Sequence, residues 1–256
     1  MFINYNKIRQ SVNSLKQIWH DKLPFRYIII DDFLIAEKAE ELFRAYPRIE
    51  ETAWDHTTYV NQKNKFVKTN FDDAPILQEV FKELRTDSFR ELLSQITEID
   101  QLHADEDLFG AGLHQSIKGA FLDVHVDFNI HPKTGFHRRM NLLIYMNKNW
   151  EKSYNGYLEL WDMEDKKQIE YIEPKFNRAV IFETNEVSFH GHPKPLHTPK
   201  GMSRKSISVY YYTKNRPEHE ITEDHNTIYV NTQGWKGVIK NLNSALKATL
   251  ERLKKS

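Results

Sequence analysis

The stretch SIKGAFLDVHVDFNIH, Ser116 to His131, holds two metal-binding side chain types one residue apart. Ser116–Val124 is a β-prone run, and it leads straight into His125-Val126-Asp127. In a strand, residues i and i+2 point to the same side, so His125 and Asp127 can face one cation together. An imidazole and a carboxylate, joined by a second imidazole with coordination positions left open, make the donor set of non-heme Fe(II) oxygen-activating sites. The tripeptide alone is weak evidence. With 12 His in the chain, about one such H-x-D is expected by chance. His103-Ala104-Asp105 is another copy; it lies in the acidic run HADEDLFGAG with no strand ahead of it, and reads as a solvated loop. Around His125 the alternation of LDVHVD sends Leu122, Val124 and Val126 to one side and Asp123, His125 and Asp127 to the other. A carboxylate facing inward needs a partner. A cation is one reading, and a His–Asp pair at a wet strand end is the other.

A third ligand must come from another strand. His131, His137, His190, His192 and His197 are the candidates. His190 ends the apolar run of Val187 and Phe189, the same kind of position that gave His125, and is chosen. His192 shares its parity but lies beyond Gly191, just before Pro193. His131 and His137 flank the turn-rich PKTGF and are placed at an entrance; His197 sits between two prolines. Further on, SRKSISVYYYT puts Arg204, Ser206 and Ser208 on one face of a strand. An inward Arg is a two-pronged grip for a carboxylate. The alternative is a salt bridge to an acid such as Glu159 or Glu183.

The elements that must position these groups fall into two parts. Ile8, Val12, Leu15 and Trp19 predict an amphipathic helix over 3–19, and FRYIIIDDF after Pro24 predicts a buried strand. Ala39, Leu42, Phe43 and Tyr46 mark a second helix that stops at Pro47, and a third runs from Pro75 to Leu84. Residues 50–70 read as irregular strand or loop. Ser88 with Glu91 suggests a capping box opening a fourth helix, with Phe89, Leu92, Leu93 and Ile96 inward. From about Leu113 short apolar runs recur: Ser116–Val124, Met140–Met146, Gly156–Trp161, Gln168–Ile172, Arg178–Glu183 and Ser203–Thr213. Such spacing suggests a β-sandwich or barrel. The expected layout is one domain over 1–214, made of a helical front (1–112) and a β-core (113–214), then an extension over 215–256. In the extension NRPEHEITEDHN reads as linker or loop, and Trp235 to Leu253 as a helix with a basic outer face.

Composition limits the function classes. Lys+Arg and Asp+Glu are both 36, so net charge gives no case for nucleic acid or an anionic membrane. There is no Cys, which excludes disulfides, thiolate metal sites and Cys nucleophiles. The first twenty residues are polar with no apolar signal region, and no run is long enough to span a bilayer, so a cytoplasmic location is expected.

Taken in order, HVDFN, HRRMNLLIYMNKNW, YNGYLELWD, PKFNRAVIFET, FHGHP and SRKSISVYYYT resemble the 2-oxoglutarate- and Fe(II)-dependent oxygenases, in the prolyl-4-hydroxylase-like branch. PFRYIIIDDFL followed by a helix resembles that branch's opening. The resemblance implies a mainly β fold with α, a double-stranded β-helix (a cupin-like jelly roll) packed against N-terminal helices. It implies His125, Asp127 and His190 as iron ligands, Arg204 and Tyr145 as holders of the distal carboxylate of 2-oxoglutarate, and Ser206 as a neighbouring hydroxyl. The interval from His190 to Arg204, with HPKPLHTPKG in it, is longer than usual for the branch. Because Asp127 is not Gly or Ala, halogenation is disfavoured. The implied cofactors are Fe(II), 2-oxoglutarate and O2, with ascorbate as an accessory. The implied reaction is hydroxylation of an unactivated C–H in a small molecule or a prolyl or peptidyl substrate, giving succinate and CO2. Phe128, Asn129, the 130–138 loop and the 54–66 segment are expected to shape the substrate mouth. Two other readings compete. One is a cupin-type isomerase or cosubstrate-free dioxygenase using His190 and His192; the other is a non-catalytic jelly-roll binding module. No nucleic acid or membrane partner is expected, and the basic terminal helix is a candidate homodimer contact.

Overall fold

Apolar residues spaced for helices build the front of the chain. The structure is a computed structural model and describes residues 1–234. The expected first helix is two, α1 (Tyr5–Gln10) and α2 (Val12–Asp21). They break at Ser11, whose N–H bonds Ile8 O at 3.0 Å, one residue short of the α-helical partner. Next come β1 (Tyr27–Asp31), α3 (Ala36–Ala45), β2 (Asp55–Tyr59), β3 (Gln62–Lys68), α4 (Pro75–Leu84) and α5 (Asp87–Thr97). The cap of α5 is Thr86, not Ser88. Thr86 is extended and its Oγ1 accepts from Phe89 N at 3.3 Å, which puts Ser88 inside the first turn. Residues 50–70 hold the β2–β3 hairpin, more regular than expected. Its regularity comes from a partner far along the chain, because β3 pairs with β5.

The core strands are β4 (His103–Ala104), β5 (Gly112–Val126), β6 (His137–Tyr145), β7 (Leu158–Asp162), β8 (Lys167–Ile172), β9 (Arg178–Glu183), β10 (Phe189–His192), β11 (Arg204–Thr213) and β12 (Ile228–Val230). They are antiparallel throughout and run β1-β9-β6-β11-β5-β10-β7-β8, with β3 and β12 both on β5 and β4 on β11. This is the double-stranded β-helix. β5 begins earlier than expected and bulges near Gly119, at φ +78°, where its register with β3 slips. The slip changes which parity faces inward between Ser116 and His125. The expected boundary at 112 falls on the first residue of β5, and front strands β1 and β3 belong to the same sheet as the core.

Strand alternation divides the core in two. Met140, Leu142, Ile144, Ala179, Ile181, Ile207 and Val209 face the helices, where Leu42, Leu77, Phe81 and Leu92 meet them. Truncating one such fully buried Leu to Ala removes about 2–5 kcal/mol. Tyr145, Leu158, Leu160, Val180 and Phe182 point the other way, into the barrel. The segment read as a linker, 215–226, is pinned to the core: Arg216 Nη2 donates to Thr184 O at 2.8 Å, and Asn129 Nδ2 to Glu223 O at 2.7 Å. The expected helix 235–253 lies outside the described residues. Among the described residues no helix is long and apolar enough to cross a membrane.

Candidate active site

β5 and β10 run side by side with His125 opposite His190. Gly191 makes this approach possible, since a Cβ there would stand 2.9 Å from the carbonyl oxygens of Leu122 and Asp123. The imidazole rings are 4.4 Å apart, and Phe182 packs on His190 at 4.5 Å. Asp127, just past the end of β5, closes the group. His125 Nε2 is 3.5 Å from its Oδ1, and His190 Nε2 is 3.5 Å from its Oδ2. One ligand atom from each of the three lies within 4.8 Å of the others, the only such group among the described residues.

The tautomers follow from the backbone. His125 Nδ1 lies 2.8 Å from Asp123 O and His190 Nδ1 2.9 Å from Ser188 O. A carbonyl only accepts, so both Nδ1 atoms carry the proton and both Nε2 lone pairs face Asp127. Burial, then the neighbouring His125, pushes His190 down to about 4, so it is neutral near pH 7. Burial would raise the Asp127 carboxyl, but the neighbouring Arg138 guanidinium holds it well below the usual carboxylate range. Two neutral imidazoles and one carboxylate can hold one divalent cation, and this donor set fits Fe(II).

Arg138 and Asn141 on β6 back the carboxylate. Arg138 Nη2 reaches Asp127 Oδ2 at 3.0 Å and Asn141 Nδ2 reaches it at 2.7 Å. Arg138 Nε and Nη2 also donate to Asn141 Oδ1, at 2.9 and 2.8 Å. The guanidinium stands 3.6 Å from the Tyr210 ring centroid and 4.5 Å from that of Phe128.

Arg204, Tyr145 and Ser206 meet on β11 and β6. Ser206 lies opposite Tyr145. Arg204 Nη2 donates to Tyr145 Oη at 3.1 Å and its Nε to Gly156 O at 2.6 Å. The salt bridge to Glu159 or Glu183 does not form: Glu159 faces Lys194 and Glu183 faces Arg26. Burial raises the Tyr145 phenol, which therefore keeps its proton while accepting from Arg204. Ser206 is buried on the Arg204 side, and its carbonyl takes the Tyr46 hydroxyl at 3.1 Å.

The remaining histidines stay outside the metal-type group. His131 is buried rather than lining an entrance, with Nε2 at 3.4 Å from Asp105 Oδ2. The HADEDLFGAG loop is not solvated throughout, because Asp105 is also buried and accepts the Asp107 N–H at 2.9 Å. His192 lies opposite Leu122.

Beside the metal-type group opens a cleft of about 800 Å³ lined by Tyr59, Asn61, Phe109, Phe128, His225 and Tyr229, among others. The three clustered residues do not line the cleft itself. Tyr229 links the two, because it pairs with His125 across β12 and β5 and its ring is 5.3 Å from the imidazole. Of the expected mouth, Phe128 and residues 58–61 line the cleft. Asn129 is buried below it and accepts His225 N at 3.0 Å. Sequence reasoning missed Arg138, Asn141, Tyr229 and Lys65. The paired arginines of HRRMN inside an apolar strand were the available signal for the first.

Residues 111–212, the β-core, match the family model described as the 2OG-Fe(II) oxygenase superfamily. Mouse (Mus musculus) Prolyl 3-hydroxylase OGFOD1 is 29% identical over 108 residues, 36% of this chain and 19% of that protein. The chain thus spans less than a fifth of that curated relative's length. A Pseudomonas putida prolyl-4-hydroxylase structure superposes with TM-score 0.57 at 17% identity, covering 78% of this chain and 98% of that one. The Trichoplax adhaerens prolyl hydroxylase, solved with a hypoxia inducible factor peptide fragment, gives 0.53 at 17%, covering 80% and 91%. Those likenesses carry the fold.

Proposed function

We propose that this chain is an Fe(II)- and 2-oxoglutarate-dependent dioxygenase that hydroxylates an unactivated C–H bond. The observation that carries the reading is the convergence of one ligand atom each from His125, Asp127 and His190 within 4.8 Å, with both imidazoles oriented by backbone carbonyls. Bound there, Fe(II) with 2-oxoglutarate and O2 supplies C–H oxidation coupled to decarboxylation of 2-oxoglutarate to succinate and CO2.

The chain's own residues have separable tasks. His125, Asp127 and His190 hold the metal. Arg138 and Asn141 keep the Asp127 carboxylate charged and turned toward the two imidazoles. Arg204 and the Tyr145 phenol take the distal carboxylate of 2-oxoglutarate, since Tyr145 accepts from Arg204 and still has a proton to donate. Ser206 adjoins that anchor. Phe182 and Tyr229 pack against the two imidazoles and limit water around them.

The substrate enters by the cleft between the β2–β3 turn and the 224–229 segment. Its size and its mixture of aromatic and polar lining suit a peptide segment or a compact small molecule. A prolyl residue in a peptide is the first choice, in keeping with the names of the similar proteins. A cytoplasmic location, ascorbate as accessory reductant and a homodimer through 235–253 belong to this reading on sequence grounds alone. The domain division at 214 is held in the same way.

Purified protein with Fe(II) and 2-oxoglutarate should release succinate slowly without added substrate, and Asp127→Ala should not. Equal release from both would sink the reading. A cupin-type isomerase would bind metal with no response to 2-oxoglutarate, and a non-catalytic module would bind no Fe(II).

A further inference from the structure

Three residues stand in a row across three strands. Arg204 of β11 lies directly opposite Ser116 of β5, and Ser116 lies directly opposite Lys65 of β3. Directly opposed residues of an antiparallel pair project from the same face. Arg204 projects to the barrel interior, where it meets Tyr145. Lys65 therefore enters the same interior from the other side of Ser116.

Lys65 is half-buried on that face. Burial pushes its amine down to about 8, against the pull of the Asp127 carboxylate and with help from Arg204 and Arg138. It thus feels the carboxylate at the metal end and the guanidinium at the anchor end. No ion pair or hydrogen bond joins its Nζ to another side chain among the described residues. The other cations inside are engaged: Arg138 is held by Asp127 and Asn141, and Arg204 by Gly156 and Tyr145.

A half-buried ammonium beside two guanidinium groups and without a side-chain partner favours an anion. Resting on the oxygenase reading, we infer that Lys65 is a second cationic contact for the 2-oxoglutarate dianion, placed between its Arg204 anchor and its metal-binding end. Arg204 answers one carboxylate. The other must approach Asp127, a like charge, and the Lys65 ammonium offsets that repulsion. Lys65 lies far from Arg204 in sequence, in the hairpin whose turn forms the substrate cleft. Cosubstrate binding would therefore also fix β3 and the cleft wall.

The test is calorimetric titration of 2-oxoglutarate into the full chain loaded with Mn(II), which binds without turnover. Wild type, Lys65→Met and Lys65→Gln are compared, with ligand-free melting temperature and Mn(II) affinity measured for each. Loss of one charge-assisted contact predicts a Kd for 2-oxoglutarate raised about tenfold to a hundredfold in both variants. Mn(II) affinity should stay within about twofold, since Lys65 donates to no metal-site residue. An unchanged Kd in a folded variant overturns the assignment, and so does a Mn(II) affinity that falls in parallel. Wild type that binds Mn(II) but not 2-oxoglutarate overturns the oxygenase reading, and the Lys65 inference with it.

Discussion

Arg138 Nη2 lies 3.0 Å from Asp127 Oδ2, in a box whose walls are the rings of Tyr210 and Phe128. Among the described residues it is the only arginine or lysine ion-paired to this nearly buried carboxylate. A bound metal would be a second cation on the same group. Arg138→Met should therefore destabilise the metal-free protein by about 3–5 kcal/mol, the range for stranding one half of a buried pair. The loss should shrink when metal is bound, because the metal then serves as counter-charge. Thermal unfolding with and without Mn(II) measures both. Equal losses in the two states would mean that Arg138 acts by packing alone.

Gly156 seats the other arginine. Its carbonyl accepts from Arg204 Nε at 2.6 Å, its φ is +74°, and a Cβ would run into the Leu196 side chain and stand 3.2 Å from Arg204 Cδ. Gly156→Ala should lose roughly 1–2 kcal/mol from the left-handed backbone alone, and it should push Arg204 off Tyr145. The 2-oxoglutarate requirement should then rise steeply, as it should in Arg204→Ala, while metal affinity holds. Succinate release against 2-oxoglutarate concentration is the measurement. A normal requirement in both variants would remove Arg204 from the anchor.

His125, Asp127, His190 and Arg204 were legible because strand alternation is local: the parity of a β-prone run says which residues share a face. The three helices with clean apolar stripes were legible for the same reason. Lys65 and Tyr229 were not. Their positions depend on β3 and β12 pairing with β5, and nothing near either residue announces that pairing. The 50–70 segment read as irregular because its Lys- and Asn-rich strand faces a polar interior instead of an apolar one. Asp105 and His131 were misread as wet because each has a buried partner distant in the chain. The slip near Gly119 also matters, since unbroken alternation from Ser116 would have turned His125 away from the side that Ser116 faces.

His190 gives the metal-free protein an acid-sensitive window. Burial, then His125, lowers its folded value to about 4 from the usual 6.5. Between those values the unfolded chain holds a proton that the folded chain lacks. Its contribution is therefore complete above about pH 6.5 and is lost as pH falls toward 4, on the order of 3 kcal/mol in all. Denaturant melts of the apo protein at pH 7 and pH 4.5 should show this slope. His190→Gln should flatten it, and an equal slope in that variant would assign the window to other groups.

The segment over the cleft should respond to pH in the opposite sense. His225 Nε2 lies 3.0 Å from Glu186 Oε1, and Thr222 Oγ1 donates to the same oxygen at 2.7 Å. Burial would lower His225, but its bonds to the Asn226 carbonyl and to Glu186, with Asp224 nearby, raise it instead. A raised histidine stabilises most below the unfolded value of about 6.5, and the contribution fades as pH climbs through the folded value. The pair is partly exposed, so salt should weaken it. Asn129 binds the segment by bonds that do not titrate, so it should loosen without detaching. Amide hydrogen exchange across 222–230, corrected for intrinsic rates, should therefore accelerate between pH 6 and 8. Glu186→Gln removes the charge that His225 answers and should erase most of that dependence. If exchange in Glu186→Gln keeps the wild-type slope, the cleft wall is held by Asn129 and the β12 pairing alone.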